Sequence, residues 1–203
     1  MPFIARATDS WIHNNMYRSY SELAIFILGL IILSLFGDLS AEESNVYVDK
    51  GACPGEGCEY CALYIAKSEV PVYKEPSVES ERVGVIPADD TFISKTGEVH
   101  TVPTKFNVHR EHDGIKPEDE VFALTYLGEG YYRVYHNGEL TRADLGFSPW
   151  GGSGGKTCNK PEYCWGQLEK ELEFTWWMWV ISESSLEGWV IADGSMRQID
   201  NRG

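Results

Sequence analysis

Five cysteines carry the first chemistry that can be read from this 203-residue chain. They fall in two clusters, Cys53, Cys58 and Cys61, then Cys158 and Cys164. Thiols grouped in this way either pair as disulfides in an oxidising compartment or coordinate zinc as thiolates. The spacings C-x4-C-x2-C and C-x5-C lack the tight C-x2-C knuckle on both sides that structural zinc prefers, so disulfides are expected. Cys158–Cys164 would close a small loop around Pro161. Cys53–Cys58 would bridge Pro54-Gly55-Glu56-Gly57 and leave Cys61 spare. Spacing alone does not settle connectivity.

Three histidines, His100, His109 and His112, share an acidic and polar stretch with Glu111 and Asp113. On a helix, His109-x-x-His112 would bring two imidazoles to one metal. The neighbouring Arg110, Asp113 and Gly114 read instead as a solvated loop, and no metal is expected. Gly155-Lys156-Thr157 spells the last letters of a phosphate loop, but Cys158-Asn159-Lys160-Pro161 follows where a helix would have to open, so no nucleotide is expected. No His-Glu-x-x-His pattern occurs. Cys53, Cys58 and Cys61 sit among Gly, Pro and Glu, surroundings that do not favour a nucleophilic thiolate. These absences predict no catalytic residue and no cofactor.

The formal charge is −14, from 31 acidic and 17 basic residues, and no basic stripe offsets it. Phosphate backbones and anionic lipid heads are repelled by such a chain, which excludes nucleic acid as a partner. Hydrophobic residues at 43% and aromatic residues at 13% are ample for a packed core. Leu23–Phe36 is an uncharged apolar run, preceded by Arg18 and followed by Gly37-Asp38-Leu39-Ser40-Ala41. Its length suits the core of a secretory signal, with Ala41 as the small residue before cleavage; an uncleaved N-terminal anchor is the alternative. Met16 opens a compact signal of its own, so the start codon is Met1 or Met16. In either case the remainder is expected to be exported to the periplasm or beyond, touching a membrane only through an uncleaved N-terminal segment.

Elements that could position side chains follow from alternation. Val46–Val48, Ala62–Val72, Arg82–Ile86 and Thr91–Ser94 alternate apolar and polar residues and are bounded by Pro, Gly and Asp, the pattern of short strands. Val121–Leu124 and Tyr131–Tyr135 repeat it, and His136-Asn137-Gly138-Glu139 is a hairpin turn signal. Trp176–Ile181 and Gly188–Ile191, separated by a polar turn, form a second hairpin. Helix is scarce; only Gln167–Leu172 suggests a turn or two. Pro149–Gly155 reads as a flexible loop.

Val72-Tyr73-Lys74-Glu75-Pro76-Ser77, Val83-Gly84-Val85-Ile86, the turn Pro87–Asp90 and Thr91–Ser94 are similar to the opening of bacterial SH3-like (SH3b) domains. Trp176-Trp177-Met178-Trp179-Val180 followed by Gly188-Trp189-Val190 resembles their ending, displaced here by some eighty residues. Ala52-Cys53-Pro54 and Gly97-Glu98-Val99-His100 also look like an uncharacterised exported group of such proteins, a likeness that carries no activity. The resemblance implies an all-β, SH3-like small barrel with an inserted β-hairpin segment, or two interleaved SH3-like units. The expected organisation is a signal or anchor over 1–41, a Cys-rich lead-in over 42–66 and the β domain over 67–203, with the insertion at about 98–175.

The aromatic surplus supplies the candidate ligand site. Tyr73, Tyr132, Trp177, Trp179 and Trp189 are the residues predicted to contact a ligand. On a strand Trp177 and Trp179 share one face while Trp176 and Met178 share the other, so one set packs inward. The outer set is either covered by the insertion or open as an aromatic platform for a peptide or glycan. The function expected from this pattern is a non-enzymatic binding module of the cell envelope that recognises a peptide, peptidoglycan or a partner protein. The alternatives are a Cys- or metal-dependent envelope hydrolase and a purely structural subunit.

Overall fold

The computed structural model describes residues 45–152, 154–160, 162 and 164–199. The apolar run Leu23–Phe36 and the expected cleavage site at Ala41 lie outside the described residues. Among the described residues the fold is all-β, with every strand pair antiparallel.

Chain order alternates between two sheets. The chain enters through β1 (Tyr47–Lys50), β2 (Leu63–Ala66), β3 (Val70–Tyr73), β4 (Arg82–Ile86) and the twelve-residue β5 (Thr91–Val102). A second sheet is then built from β6 (Thr104–Val108), β7 (Val121–Gly128), β8 (Tyr131–His136), β9 (Glu139–Asp144) and β10 (Gly166–Leu168). The chain returns to the first sheet as β11 (Glu173–Ser182), β12 (Glu187–Ile191) and β13 (Met196–Gln198). The first sheet runs β13-β2-β5-β11-β12-β3-β4, with β1 added beside β5; the second runs β10-β6-β7-β8-β9.

Each sheet has its own core. Tyr64, Val72, Ile86, Phe92, Met178, Val190 and Met196 come from strands spread across the first sheet yet meet in one cluster, so the sheet curls round it. Phe106, Val121, Tyr132, Val134, Leu145 and Trp165 fill the second. The Trp165 indole packs edge-on to Phe106 at 4.7 Å between centroids, and its Nε1 donates to the Asp144 carbonyl at 3.0 Å. Cys158 and Cys164 are disulfide-bonded and buried in this core, where Gln167 and Leu168 form part of β10 rather than the helical turn expected of them. The reason is pairing: Gln167 lies opposite Asn107 and Leu168 opposite Phe106. The hairpin turn at Asn137-Gly138 has positive φ at both residues, as a two-residue hairpin loop requires.

The sheets are joined through β5 and β11, which pair from Val102↔Glu173 to Phe92↔Ser182. A bulge interrupts them: Trp179 faces Thr96 and Val180 faces Ser94, leaving Lys95 as the extra residue. β5 is long because it is paired on both sides, by β11 along its length and by β2 and then β1 on the other edge. The strands of the second sheet therefore all lie between Val102, the end of β5, and Glu173, the start of β11. Polar contacts tie the two layers further. Arg133 Nε donates to the buried Asp49 carboxylate at 2.7 Å, and the Glu129 amide donates to Glu56 at 3.1 Å.

Tyr132 is buried in the second core and its hydroxyl has no hydrogen-bond partner among the described residues. Burial, then the nearby Tyr126, pushes its phenol far above the ordinary range, so the hydroxyl stays neutral and contributes only its desolvation penalty. Tyr132→Phe removes that penalty without changing shape. It is expected to stabilise the protein by about 1 kcal/mol, a melting-point rise of about 2–4 °C in a scanning-calorimetry comparison; a fall shows that the hydroxyl is satisfied.

Candidate functional site

The outer face of the first sheet follows from which side chains the core claims. Val72 on β3, Val190 on β12, and Met178 and Val180 on β11 all enter the first core. Strand alternation therefore sends Tyr73, Trp189 and Trp179 to the opposite face. Register then aligns them: Tyr73 lies opposite Trp189, Trp189 opposite Trp179, and Trp179 opposite Thr96. Three aromatic residues thus form a row across three neighbouring strands. All three are half-buried, and the Trp179 and Trp189 rings meet edge-on at 5.6 Å.

Trp177 shares this face but is only 3% exposed. The Tyr73 ring meets it edge-on at 5.7 Å, and the His100 ring lies 6.3 Å away. It forms part of the wall of a groove of about 580 Å³, together with His100, Pro76, Val78, Leu172 and Ile191. His100 Nε2 is 2.6 Å from the buried Glu98 carboxylate, whose residue stands directly opposite Trp177. Next to it, Gly97 admits no side chain: a Cβ there would run into the Trp177 carbonyl and the Tyr60 hydroxyl. Tyr60 uses that hydroxyl to bond the Ala52 carbonyl and to accept from Trp176 Nε1 at 2.9 Å, which pins the cysteine-rich lead-in against the hairpin.

The five aromatic residues expected at a ligand site are thus divided. Tyr73, Trp179 and Trp189 are brought together and partly open; Trp177 supports them from beneath the surface. Tyr132 is a correction: it belongs to the other sheet and is fully buried, because β8 alternation turns it and Val134 into the second core.

The remaining candidates are equally resolved by position. Cys53–Cys58 and Cys158–Cys164 are bonded, and Cys61 carries an exposed free thiol. His100 lies on β5, whereas His109 and His112 sit in the loop between β6 and β7, where His112 stacks on Trp165 at 5.0 Å and bridges to Ile115. That loop is a turn and not a helix, and among the described residues no group of three His, Cys, Asp or Glu side chains is placed to hold a metal. Gly151–Gly155 formally spells Gly-x-Ser-x-Gly around Ser153, which lies outside the described residues. A nucleophile elbow needs a strand before it and a helix after it. The residues described on either side form turns, after β9 has ended at Asp144 and before β10 begins at Gly166.

A second concavity, also of about 580 Å³, opens between the two sheets. Trp150, Trp176 and Tyr126 contribute rings to it, and Glu56, Arg197 and Gln198 contribute polar groups. Neither Trp150 nor Trp176 could be assigned to this cleft from spacing, because the cleft exists only once the insertion packs beside the hairpin. No family model matches the chain, and no curated protein and no solved structure matches it.

Asp119 shows what the polar cluster near the histidines does. Its carboxylate accepts from the Lys116 amide at 2.8 Å and from Asn137 Nδ2 at 2.8 Å, and it lies 2.9 Å from His136 Nε2. These contacts, led by the Lys116 amide, hold its carboxyl down to about 2. A depressed carboxyl stabilises the fold above its unfolded-state value and loses that contribution as pH falls towards about 2. A carbon-detected NMR titration is expected to place the Asp119 midpoint near 2, with the β6–β7 loop loosening over the same range; an ordinary carboxylate midpoint contradicts this.

Proposed function

We propose that this chain is an exported, non-enzymatic recognition module of the cell envelope, built on an SH3-like barrel with a second β layer inserted between its β5 and β11 strands. Its ligand is an extended peptide segment, from peptidoglycan or from an envelope protein. The observation that carries the reading is the Tyr73–Trp189–Trp179 row. Large aromatic side chains left half-open on a sheet face, beside a groove, are the composition of a recognition surface more than of a solvated one. The two disulfides fit an oxidising compartment, as export requires.

Chemistry at the edges narrows the ligand. Glu187 lies on the same face as the row by strand alternation, opposite Ile181, and Arg82 stands opposite Tyr73 at the row's other end, while Glu98 is buried against His100. The formal charge of −14 on the whole chain favours a neutral or cationic segment over an anionic one. The groove walls at Pro76, Val78 and Ile191 offer apolar contact along its length.

Sedimentation of the purified protein with intact sacculi, and its capture by envelope proteins, test the reading together. Trp179→Ala and Trp189→Ala should each weaken retention by about tenfold or more, as central aromatic contacts do, with melting temperature measured alongside to separate binding from folding. No retention on sacculi removes the wall-binding version. Retention that is unchanged in both variants removes this face as the site.

A further inference from the structure

We propose that the cleft between the two sheets is a second binding site, and that it takes a neutral glycan. The site is separate from the outer aromatic row and does not depend on the reading given for it.

Trp150 is the starting observation. It is 57% exposed, the highest exposure of any large aromatic described, although it sits in a glycine-rich loop that could have turned it elsewhere. It is nonetheless held. Its ring meets Tyr126 edge-on at 5.3 Å and Phe174 edge-on at 5.9 Å, and its outer edge lies so near Gly55 that a Cβ added there would come within 3.2 Å of it. One ring is thus wedged between the second sheet, the returning β11 strand and the Cys53–Cys58 loop, with much of its surface left to the cleft. Trp176 supplies a second ring to the same cleft, and its Nε1 is already committed to the Tyr60 hydroxyl. What Trp176 offers the cleft is therefore its apolar surface. The indole N–H of Trp150 has no partner among the described residues.

The polar groups complete the pattern. Glu56 is fixed in place, accepting from the Glu129 amide at 3.1 Å and from the Tyr126 hydroxyl at 3.4 Å. Arg197 and Gln198 project from β13 at the cleft's border, and Arg197 has no carboxylate within ion-pair distance among the described residues. Aromatic faces combined with a few planar hydrogen-bonding groups match a ligand that is apolar on its faces and hydroxylated round its rim, which describes a pyranose ring. An apolar ligand would desolvate the Arg197 guanidinium and the second Glu56 oxygen, Oε2, neither of which has a partner among the described residues. A polyanionic one would meet Glu56, Asp193 and the strongly acidic chain. The volume of about 580 Å³ falls within the roughly 300–1,000 Å³ usual for small-ligand sites.

The test titrates the full-length protein with tetra-N-acetylchitotetraose, cellotetraose and a tetragalacturonate, following indole N–H resonances by NMR. The expected result is a saturable shift of the Trp150 resonance with one of the two neutral glycans, at a Kd of about 1 mM or tighter, and none with the galacturonate. Trp150→Ala should weaken that binding by about tenfold or more, and Gln198→Ala, which leaves the ring wedge intact, should weaken it as well; Trp179→Ala should leave it unchanged. No saturable shift with either neutral glycan up to about 10 mM overturns the proposal. So does equal binding of the galacturonate, or a shift that maps to Trp179 and Trp189 in place of Trp150. Loss of sacculus binding in Trp179→Ala bears on the outer face alone, so the two readings fail separately.

Discussion

The pairing of β5 with β11 is the interaction on which everything else rests. Ten residues of β11 find partners along β5, and the two strands feed different cores at their two ends. At the Phe92–Ser182 end they close the curled sheet around Met178 and Val180. At the Val102–Glu173 end they hand the chain to and from the inserted sheet, with Phe174 packed against its core. A ribbon this long needs a bulge to follow the curl, and Lys95 supplies it. Gly97 then lets the Tyr60 hydroxyl press directly on the ribbon, which fastens the lead-in segment.

The same ribbon determines which surfaces are available. Alternation along Trp176-Trp177-Met178-Trp179 sends successive rings to opposite sides of one strand. One side meets the core and the inter-sheet cleft; the other carries the row with Tyr73 and Trp189. A one-residue slip of β11 would exchange these surfaces, burying the row and expelling Met178. The bulge and the hairpin turn to β12 together fix the register that prevents it.

Much of this architecture was legible in the residues. The Trp176–Ile191 hairpin, the Asn137-Gly138 turn and the short strands around Val83–Ile86 announced themselves through alternation and turn chemistry, which are local properties. Both disulfides joined cysteines close in sequence, Cys53 with Cys58 and Cys158 with Cys164, so few pairings competed. What escaped depended on distant partners. Thr91–Ser94 looked like an ordinary strand, and only pairing on both edges extends β5 to Val102. Gln167 and Leu168 looked helical because β10 is three residues long and exists only beside β6. Tyr132 looked like a surface aromatic because Tyr131-Tyr132 gives no hint of which neighbour faces inward. The covering of Trp177 by Tyr73 and His100 is likewise a product of register, as is the exposure of Trp150 at a cleft between segments far apart in the chain.

Through the β5–β11 ribbon the two cores form a single cooperative unit. Native-state hydrogen exchange tests it most directly, by comparing amides of the β5–β11 ribbon with those of Val134 in the second core and Val190 in the first. A shared spine predicts that all three groups exchange only through global unfolding, with the same free energy and the same dependence on denaturant. Exchange at Val134 through a cheaper opening, while β5, β11 and Val190 stay protected, would show that the second sheet unfolds on its own and that the ribbon does not couple the two cores.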